Sequence, residues 1–230
     1  MASAEIRKEI VDRVVARRGR LHLFDKLDPK KTALLVIDMQ NAFVAPGAPV
    51  EVPAARDIVP AINRLAAELR KRGVPVIWVM HENRTGGSDW EGFFGAFVSD
   101  RTKAAAALTA GNPMQTLWRE LDVSRDDLRV AKTRYSAFIR SDFEKILKER
   151  EIDTLLIAGT KTNVCCECTA RDAMMLDYKV VMLSDCTAAL SDDEHRATLE
   201  NMIQQFGDVL TGGQALSLLD RSAFKEQSDA

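Results

Sequence analysis

Residues 33–37 read Ala-Leu-Leu-Val-Ile and run directly into the polar segment Asp-Met-Gln-Asn at 38–41. A short, unbroken apolar run that is rich in β-branched residues and ends in polar residues is typical of a parallel strand buried on both faces. Apolar residues then recur at helical spacing over 58–69, followed by Gly73 as a stop signal and a second apolar run at 74–80. This order predicts a strand-helix-strand unit with parallel strands.

The same alternation continues towards the carboxyl terminus. Further strands are predicted at 128–131, 154–158, 179–183 and 209–210. Further helices are predicted near Leu117 and at 143–147, 164–178 and 199–206. Strands that alternate with helices predict an α/β domain with helices on both faces of the sheet. We therefore expect a three-layer α/β/α Rossmann-like open sheet, mainly parallel, with about six strands.

The chain length of 230 residues suits one domain of this kind. Helical spacing near the amino terminus involves Ile6, Ile10, Val11, Val14 and Val15. We expect a helical extension at 1–30, the sheet domain at 31–220 and a tail at 221–230.

Composition and charge narrow the class of partner. The chain is 46% hydrophobic and 29% charged, which is typical of a globular protein, and its 32 basic and 34 acidic residues give a formal charge of −2. No charge excess attracts nucleic acid or an anionic membrane. The apolar runs are far shorter than the roughly 20 residues of a membrane-spanning helix, and the amino terminus lacks the apolar core of a secretory signal. We expect a cytoplasmic protein with a small-molecule substrate and no nucleic-acid or membrane partner.

Polar residues follow three of the predicted strands. Asp38 follows the first, Lys132 follows the strand at 128–131, and Gly-Thr-Lys-Thr-Asn-Val-Cys at 159–165 follows the fourth. Ligands of open α/β sheets bind outside the carboxyl ends of the strands. We therefore expect these residues to converge at one edge of the sheet.

Cys165 lies where a predicted strand ends and a helix begins, with Thr162 or Asn163 as the expected N-cap. The amide groups and dipole of a helix start favour a thiolate, so we expect a lowered pKa, a nucleophilic thiol and amides that hold an oxyanion. Acyl transfer at this thiol also needs a proton carrier, for which Asp38 is the best-placed residue. The conventional alternatives are the three histidines His22, His81 and His195.

Three segments share a pattern with a known family: 36–41, Lys-Thr-Arg-Tyr-Ser-Ala-Phe at 132–138, and 159–165 with its continuation Thr-Ala-Arg-Asp-Ala at 169–173. Together they resemble the isochorismatase-like cysteine hydrolases, and within them the ureidoacrylate amidohydrolases most. The resemblance extends over roughly residues 31–213. It implies the isochorismatase-like hydrolase fold for the sheet domain.

The resemblance also implies a mechanism. It implies a triad in which Asp38 takes the thiol proton and later activates water, Lys132 holds the charges in place, and Cys165 forms an acyl intermediate. It implies a cis peptide bond between Thr160 and Lys161, with an oxyanion hole formed by the backbone amides of Lys161 and Cys165. The implied enzyme is a cysteine-dependent amidohydrolase that cleaves a C–N bond of a small ureido, carbamoyl or amide substrate and releases ammonia or carbamate. It needs no cofactor and is a homo-oligomer, either a dimer or a tetramer.

Substrate contacts are expected from residues that match or flank the family's pocket. The candidates are Asn41, Phe43, Trp90, Arg134 and Tyr135. Arg134 is suited to a substrate carboxylate, and Asn41 and Tyr135 to hydrogen bonds with a polar group. Trp90 belongs to the long segment 84–112, which is expected to cover the pocket, to form a core or subunit contact, or to do both.

Other chemistries stay open at this point. Residues 165–168 contain a C-x-x-C pattern at a helix start, as in thiol redox proteins, and relatives with the same fold hydrolyse the vinyl ether of isochorismate. Related nicotinamidases bind a metal through an aspartate and histidines between the first two strands. The present chain has no histidine between Asn41 and Met80, so we expect no metal. The cysteine at 165 favours amide hydrolysis.

Overall fold

The structure, a computed structural model, describes residues 5–83 and 101–228. The strands are β1 (Thr32–Ile37), β2 (Val76–His81), β3 (Leu128–Lys132), β4 (Thr154–Thr160), β5 (Lys179–Ala188) and β6 (Asp208–Leu210). The α-helices are α1 (Lys8–Arg18), α2 (Asn41–Val44), α3 (Ala55–Lys71), α4 (Arg101–Ala107), α5 (Phe143–Lys148), α6 (Glu167–Met175), α7 (Asp192–Asn201) and α8 (Gly212–Ser228). Two π-helical turns, Thr162–Cys166 and Met202–Phe206, adjoin α6 and α7.

The sheet has the strand order β3-β2-β1-β4-β5-β6, and all neighbouring pairs of these six described strands are parallel. β1 lies in the middle, where Ile37 is opposite Val79 of β2 and Gly159 of β4. The strand order changes direction between β1 and β4. Such a switch point forms a crevice at the carboxyl ends of the strands, which is where ligands of open α/β sheets bind.

The core has one apolar layer on each face of the sheet, because successive side chains of a strand point in opposite directions. Leu34 and Val36 of β1 belong to a buried cluster with side chains of α3 and α8. Leu35 and Ile37 belong to a second buried cluster with side chains of α1, α5, α6 and α7. The predicted three-layer α/β/α sheet is therefore confirmed, and its strands are all parallel.

The amino-terminal helix α1 packs on the second of these layers. Ile10 and Val14 are buried there, and Gly19, in the left-handed conformation, caps the carboxyl end of α1. Arg7 makes a bidentate ion pair with the buried carboxylate of Glu200. The extension predicted at 1–30 thus contains a helix that is fixed to the sheet domain.

Local structure differs from the sequence prediction in three places. Leu117 is not helical but forms an isolated β-bridge with Gln40. The helix predicted at 164–178 is a π-helical turn followed by α6, which ends at Met175. The last helix continues past residue 220 to Ser228.

Residues 84–100, which include Trp90, lie outside the described residues. In the two described ranges, no helix has the length and apolar character needed to cross a membrane.

Candidate active site

Asp38 is the first residue after β1 and is fully buried at the carboxyl edge of the sheet. Its φ of 53° lies in the left-handed region, which aspartate tolerates better than most residues. The Asp38 amide still donates to the carbonyl of Val79 in β2 at 2.8 Å. The main chain therefore turns sharply at the end of β1 and directs the carboxylate into the switch-point crevice.

Lys132 is the last residue of β3, and its side chain, like that of Asp38, is 0% exposed. Its Nζ lies 2.8 Å from Oδ2 of Asp38. Burial opposes the charged form of Lys132, but attraction to Asp38 and Cys165 outweighs burial and raises the pKa of the ammonium group. Burial also raises the pKa of the Asp38 carboxyl group, and Lys132 opposes that rise. The pair is a buried ion pair, and its carboxylate takes up a proton more readily than the carboxylate of an exposed aspartate.

Cys165 lies in the π-helical turn Thr162–Cys166 and interacts with both members of this ion pair. Its side chain is buried. Burial raises the pKa of the Cys165 thiol, the charge of Asp38 raises it further, and Lys132 acts in the opposite direction. The sequence prediction of a lowered pKa was therefore wrong, because burial and a neighbouring carboxylate outweigh the helix start. A thiol in this setting needs a base to become a nucleophile, and the Asp38 carboxylate is a basic group in contact with it.

The turn that carries Cys165 is fixed by a side chain from α7. Thr162 Oγ1 lies 2.9 Å from Nδ1 of His195, and Nε2 of His195 lies 3.1 Å from the carbonyl oxygen of Ser184. Neither Thr162 nor Asn163 is the N-cap, since Lys161 holds that position without a side-chain capping bond. The peptide bond between Thr160 and Lys161 is cis.

The predicted substrate residues occupy different surroundings. Tyr135 is half-buried, and burial together with the charge of Cys165 raises the pKa of its phenol. Arg134 donates to the carbonyl oxygen of Thr133 at 2.7 Å. The Asn41 amide donates to the carbonyl oxygen of Pro113 and to Thr116 Oγ1, so it anchors a neighbouring loop. Phe43 is a core residue in the cluster with α3. Of these, Tyr135 has an electrostatic interaction with the thiol.

Two buried residues at this edge were not among the predicted site residues, although one of them, His81, was an alternative proton carrier. His81 is the last residue of β2 and its Nδ1 lies 3.4 Å from Nζ of Lys132. Gln40 is fully buried, accepts from the His81 amide at 2.8 Å and donates to the His81 carbonyl oxygen at 2.9 Å. The available signal was positional, because His81 follows its apolar run as Asp38 and Lys132 follow theirs.

The site is rich in groups that move protons and hold charge rather than in metal ligands. In residues 5–83 and 101–228 there is no group of three or more His, Cys, Asp or Glu side chains arranged to hold a metal ion. A thiol next to a carboxylate that is itself neutralised by an ammonium group is suited to nucleophilic attack with proton transfer. Fold and site together define a hydrolase built on an open, parallel α/β sheet.

Comparison with known proteins gives the family. A family model of the isochorismatase domain matches residues 32–214. The chain therefore belongs to the isochorismatase family, as its motifs predicted, and it is a hydrolase. The match begins at the first residue of β1 and ends within the first turn of α8, so it includes all six strands.

Individual relatives span most of the chain. A probable inactive nicotinamidase from Arabidopsis thaliana is 36% identical over 175 residues, which is 75% of this chain and 88% of the relative. A ureidoacrylate amidohydrolase, RutB, from Caulobacter vibrioides is 32% identical over 207 residues, or 80% of this chain and 89% of the relative. The crystal structure of a cysteine hydrolase from Pseudomonas syringae pv. phaseolicola has a TM-score of 0.80 at 31% identity and covers 86% of this chain and 96% of its own.

Proposed function

We propose that this protein is a cysteine-dependent amidohydrolase that cleaves a C–N bond of a small ureido, carbamoyl or amide substrate through an acyl-enzyme intermediate. The observation that carries the proposal is the buried Asp38–Lys132 ion pair, 2.8 Å between Oδ2 and Nζ, next to the Cys165 thiol. The similarity to ureidoacrylate amidohydrolases at 30–32% identity supports the ureido class of substrate.

In the first half of the reaction, the Asp38 carboxylate takes the thiol proton while Cys165 Sγ attacks the substrate carbonyl carbon. A negative charge moves from the carboxylate to the sulfur and then to the carbonyl oxygen. Lys132 stays positive throughout, so it balances that charge at each position and no unpaired charge is left in the buried site. The backbone amides of Lys161 and Cys165 are the proposed donors to the oxyanion.

In the second half, the protonated Asp38 gives its proton to the leaving nitrogen as the C–N bond breaks. Ammonia or an amine leaves, and the acyl group remains on Cys165 as a thioester. Attack at a ureido carbonyl leaves a carbamoyl group on the sulfur, which water then releases as carbamate. Asp38, again a carboxylate, takes a proton from water as the water oxygen attacks the thioester carbon. The thioester breaks, the acid is released, and Cys165 regains its proton, so one water is consumed in each turnover.

Substrate recognition is proposed to involve Tyr135, whose phenol interacts electrostatically with the thiol, and Arg134 for a substrate carboxylate. The roles of Asn41 and Trp90 in binding stay predictions, as do the cytoplasmic location and the homo-oligomer. Phe43 is proposed only as a packing residue beneath the site. The mechanism uses no metal, so EDTA should leave turnover unchanged, and loss of activity that added metal restores would contradict it.

A thiol redox function fits the site less well. Exchange proteins of the C-x-x-C type use an accessible thiolate of lowered pKa, whereas burial raises the pKa of Cys165 and also that of Cys168. The redox reading also leaves the buried pair of Asp38 and Lys132 without a role. Vinyl-ether hydrolysis does not need the cysteine as a nucleophile, so replacement of Cys165 separates it from amide hydrolysis.

The test is ammonia release by the purified protein from ureido acids, carbamoyl amino acids, biuret, nicotinamide and simple amides. Cys165→Ala is the blank, and circular dichroism of both proteins checks the fold. We expect release from a ureido or carbamoyl acid that falls by about a thousandfold or more in the variant. Substantial turnover by Cys165→Ala would exclude the covalent mechanism. Turnover of isochorismate without ammonia release would instead support the vinyl-ether reaction.

A further inference from the structure

Four groups that can accept a hydrogen bond surround the buried ammonium group of Lys132. Its Nζ lies 2.8 Å from Oδ2 of Asp38, 3.1 Å from the carbonyl oxygen of Arg134 and 3.4 Å from Nδ1 of His81. An ammonium group has three N–H donors and no acceptor. The Cys165 thiol is the fourth group, since it also interacts with the ammonium group through a hydrogen bond. The three hydrogens are therefore shared among four groups, and the imidazole of His81 is one of the three side chains among them.

The fold explains why the ring and the ammonium group meet. His81 and Lys132 are the last residues of β2 and β3 and are opposite one another in the parallel register. Neighbouring strands lie about 4.8 Å apart, so side chains at such a position on the same face are within reach of each other. The two hydrogen bonds between the Gln40 amide and the main chain of His81 fix the ring's point of attachment.

A chain of hydrogen bonds also sets the tautomer of the ring. Asn83 Nδ2 donates to the carbonyl oxygen of Ala105 in α4 at 3.2 Å, which leaves Oδ1 of Asn83 as an acceptor. Nε2 of His81 lies 3.2 Å from that oxygen, so the ring proton is on Nε2. Nδ1 then keeps its lone pair and faces the Lys132 donor. Burial, with the charge of Lys132 in support, lowers the pKa of His81 to about 3, so the ring is neutral near neutral pH.

We propose that His81 is a positioning residue for Lys132, which it holds through the lone pair on Nδ1 in the tautomer that Asn83 selects. A neutral acceptor leaves the full positive charge of Lys132 for Asp38 and the Cys165 thiolate, whereas a carboxylate at this place would compete with them. The inference rests on the proposed function, because that function requires the ammonium group of Lys132 to stabilise the Cys165 thiolate.

Two substitutions distinguish the effect of the Nδ1 lone pair of His81 from the effect of the ring as a whole. His81→Leu removes the acceptor, whereas His81→Asn keeps an acceptor at the same number of bonds from the main chain as Nδ1. His22→Leu is the matched control, since His22 pairs with Asp208 in β6, at the opposite edge of the sheet from β3. Near-UV circular dichroism checks the tertiary structure of each variant.

The first readout needs no substrate. It is the rate at which iodoacetamide alkylates Cys165, located by fragmentation mass spectrometry in a Cys168→Ser background. A misplaced ammonium group stabilises the thiolate less, so we expect alkylation about tenfold slower in His81→Leu. His81→Asn and the His22 control should stay within about threefold of the parent rate. Parent-like alkylation of a folded His81→Leu would overturn the proposal, and so would equal losses in the Leu and Asn variants.

The second readout is turnover of the substrate found in the ammonia assay. His81→Leu should lower kcat by about tenfold with little change in KM, and His81→Asn should restore most of the loss. Asn83→Leu should lower kcat several-fold alone but add little in the His81→Leu background, because both act through one ring. If His81→Leu does not fold, Asn83→Leu decides, and parent-like alkylation and kcat in that variant would overturn the proposal.

The two readouts keep the inference apart from the proposed function. Slower alkylation in His81→Leu together with no hydrolysis of any amide would uphold the positioning role and reject the amidohydrolase. Cys165-dependent hydrolysis together with alkylation and kcat that are indifferent to His81 would do the reverse.

Discussion

Gly159 approaches the main chain of Ile37 so closely that a Cβ added to Gly159 would lie 2.0 Å from the Ile37 carbonyl oxygen. Gly159 also has a φ of 108°, in the region that side chains rarely adopt. The two residues are opposite one another in the β1–β4 pair. The close approach therefore lies directly before Asp38 on one strand and before the turn that carries Cys165 on the other.

Gly159→Ala should push the ends of β1 and β4 apart. We expect a loss of roughly 2–4 kcal/mol in the free energy of unfolding, measured with urea, together with a large loss of activity. Gly73→Ala is the matched control, because Gly73 also has a positive φ, 71°, but has nothing within 4 Å of an added Cβ. The control should lose only the roughly 1 kcal/mol of backbone strain and keep its activity. Equal effects of the two substitutions would mean that the close approach has no special importance.

The Asp38–Lys132 pair predicts that stability and activity respond differently to substitution. Lys132→Met leaves the Asp38 carboxylate buried without its counter-ion, so we expect a loss of about 3–5 kcal/mol in the free energy of unfolding. The double variant Asp38→Asn with Lys132→Met should recover most of that stability. Both variants should lack measurable turnover. Lys132→Met lacks the positive charge that balances the Asp38 carboxylate, and the double variant lacks the carboxylate itself. If the double variant were as unstable in urea unfolding as the sum of its two single substitutions, that result would count against the buried ion pair.

Sequence periodicity was enough to predict the sheet because buried parallel strands such as β1 are continuous apolar runs, and the residues after them share an edge. That rule located Asp38, Lys132 and Cys165. It did not predict the pKa of Cys165, because burial and the distance to Asp38 depend on packing between segments more than a hundred residues apart. The prediction that Leu117 is helical was wrong, because its structure is decided by pairing with Gln40, a residue that is distant in sequence.

His81 shows a second limit. A single histidine after an apolar run is more often a packed or surface residue than a functional one, so the pattern alone predicts little. Its contact with Lys132 depends on the β2–β3 register, and its tautomer depends on Asn83 and on a carbonyl oxygen of α4. Neither the strand register nor these hydrogen bonds can be predicted from the spacing of residue types along the chain.

Replacement of single cysteines should distinguish hydrolysis from thiol exchange. Cys168 lies three residues after Cys165 in α6 and is half-buried, and the proposed reaction does not use it. Cys168→Ser should keep kcat within about twofold of the parent, whereas Cys165→Ser should lose about a thousandfold or more. The measurement is steady-state ammonia release under reducing conditions. A comparable loss in both variants would favour a dithiol mechanism.

Stability should fall on mild acidification because two buried histidines stay neutral in the folded protein. Burial lowers the pKa of His81 to about 3 and also lowers that of His195. In the unfolded chain a histidine takes up its proton near pH 6.5, roughly. Between that value and the lower pKa of the folded state, the unfolded chain binds more protons, so stability is complete above about pH 6.5 and is lost as the pH falls.

The measurement is the free energy of unfolding in urea at about pH 7.5 and about pH 5.5, where His81 should contribute a loss of roughly 1 kcal/mol and His195 a further loss in the same direction. His81→Asn removes one of these titrating rings but keeps a hydrogen-bond acceptor, so the difference between the two pH values should shrink by about that amount. Cys168→Ser, which changes no group that titrates in this interval, should show the parent difference. An unchanged difference in His81→Asn would mean that the ring takes up its proton over the same pH range in the folded and the unfolded chain, which would contradict a buried ring that is kept neutral beside Lys132.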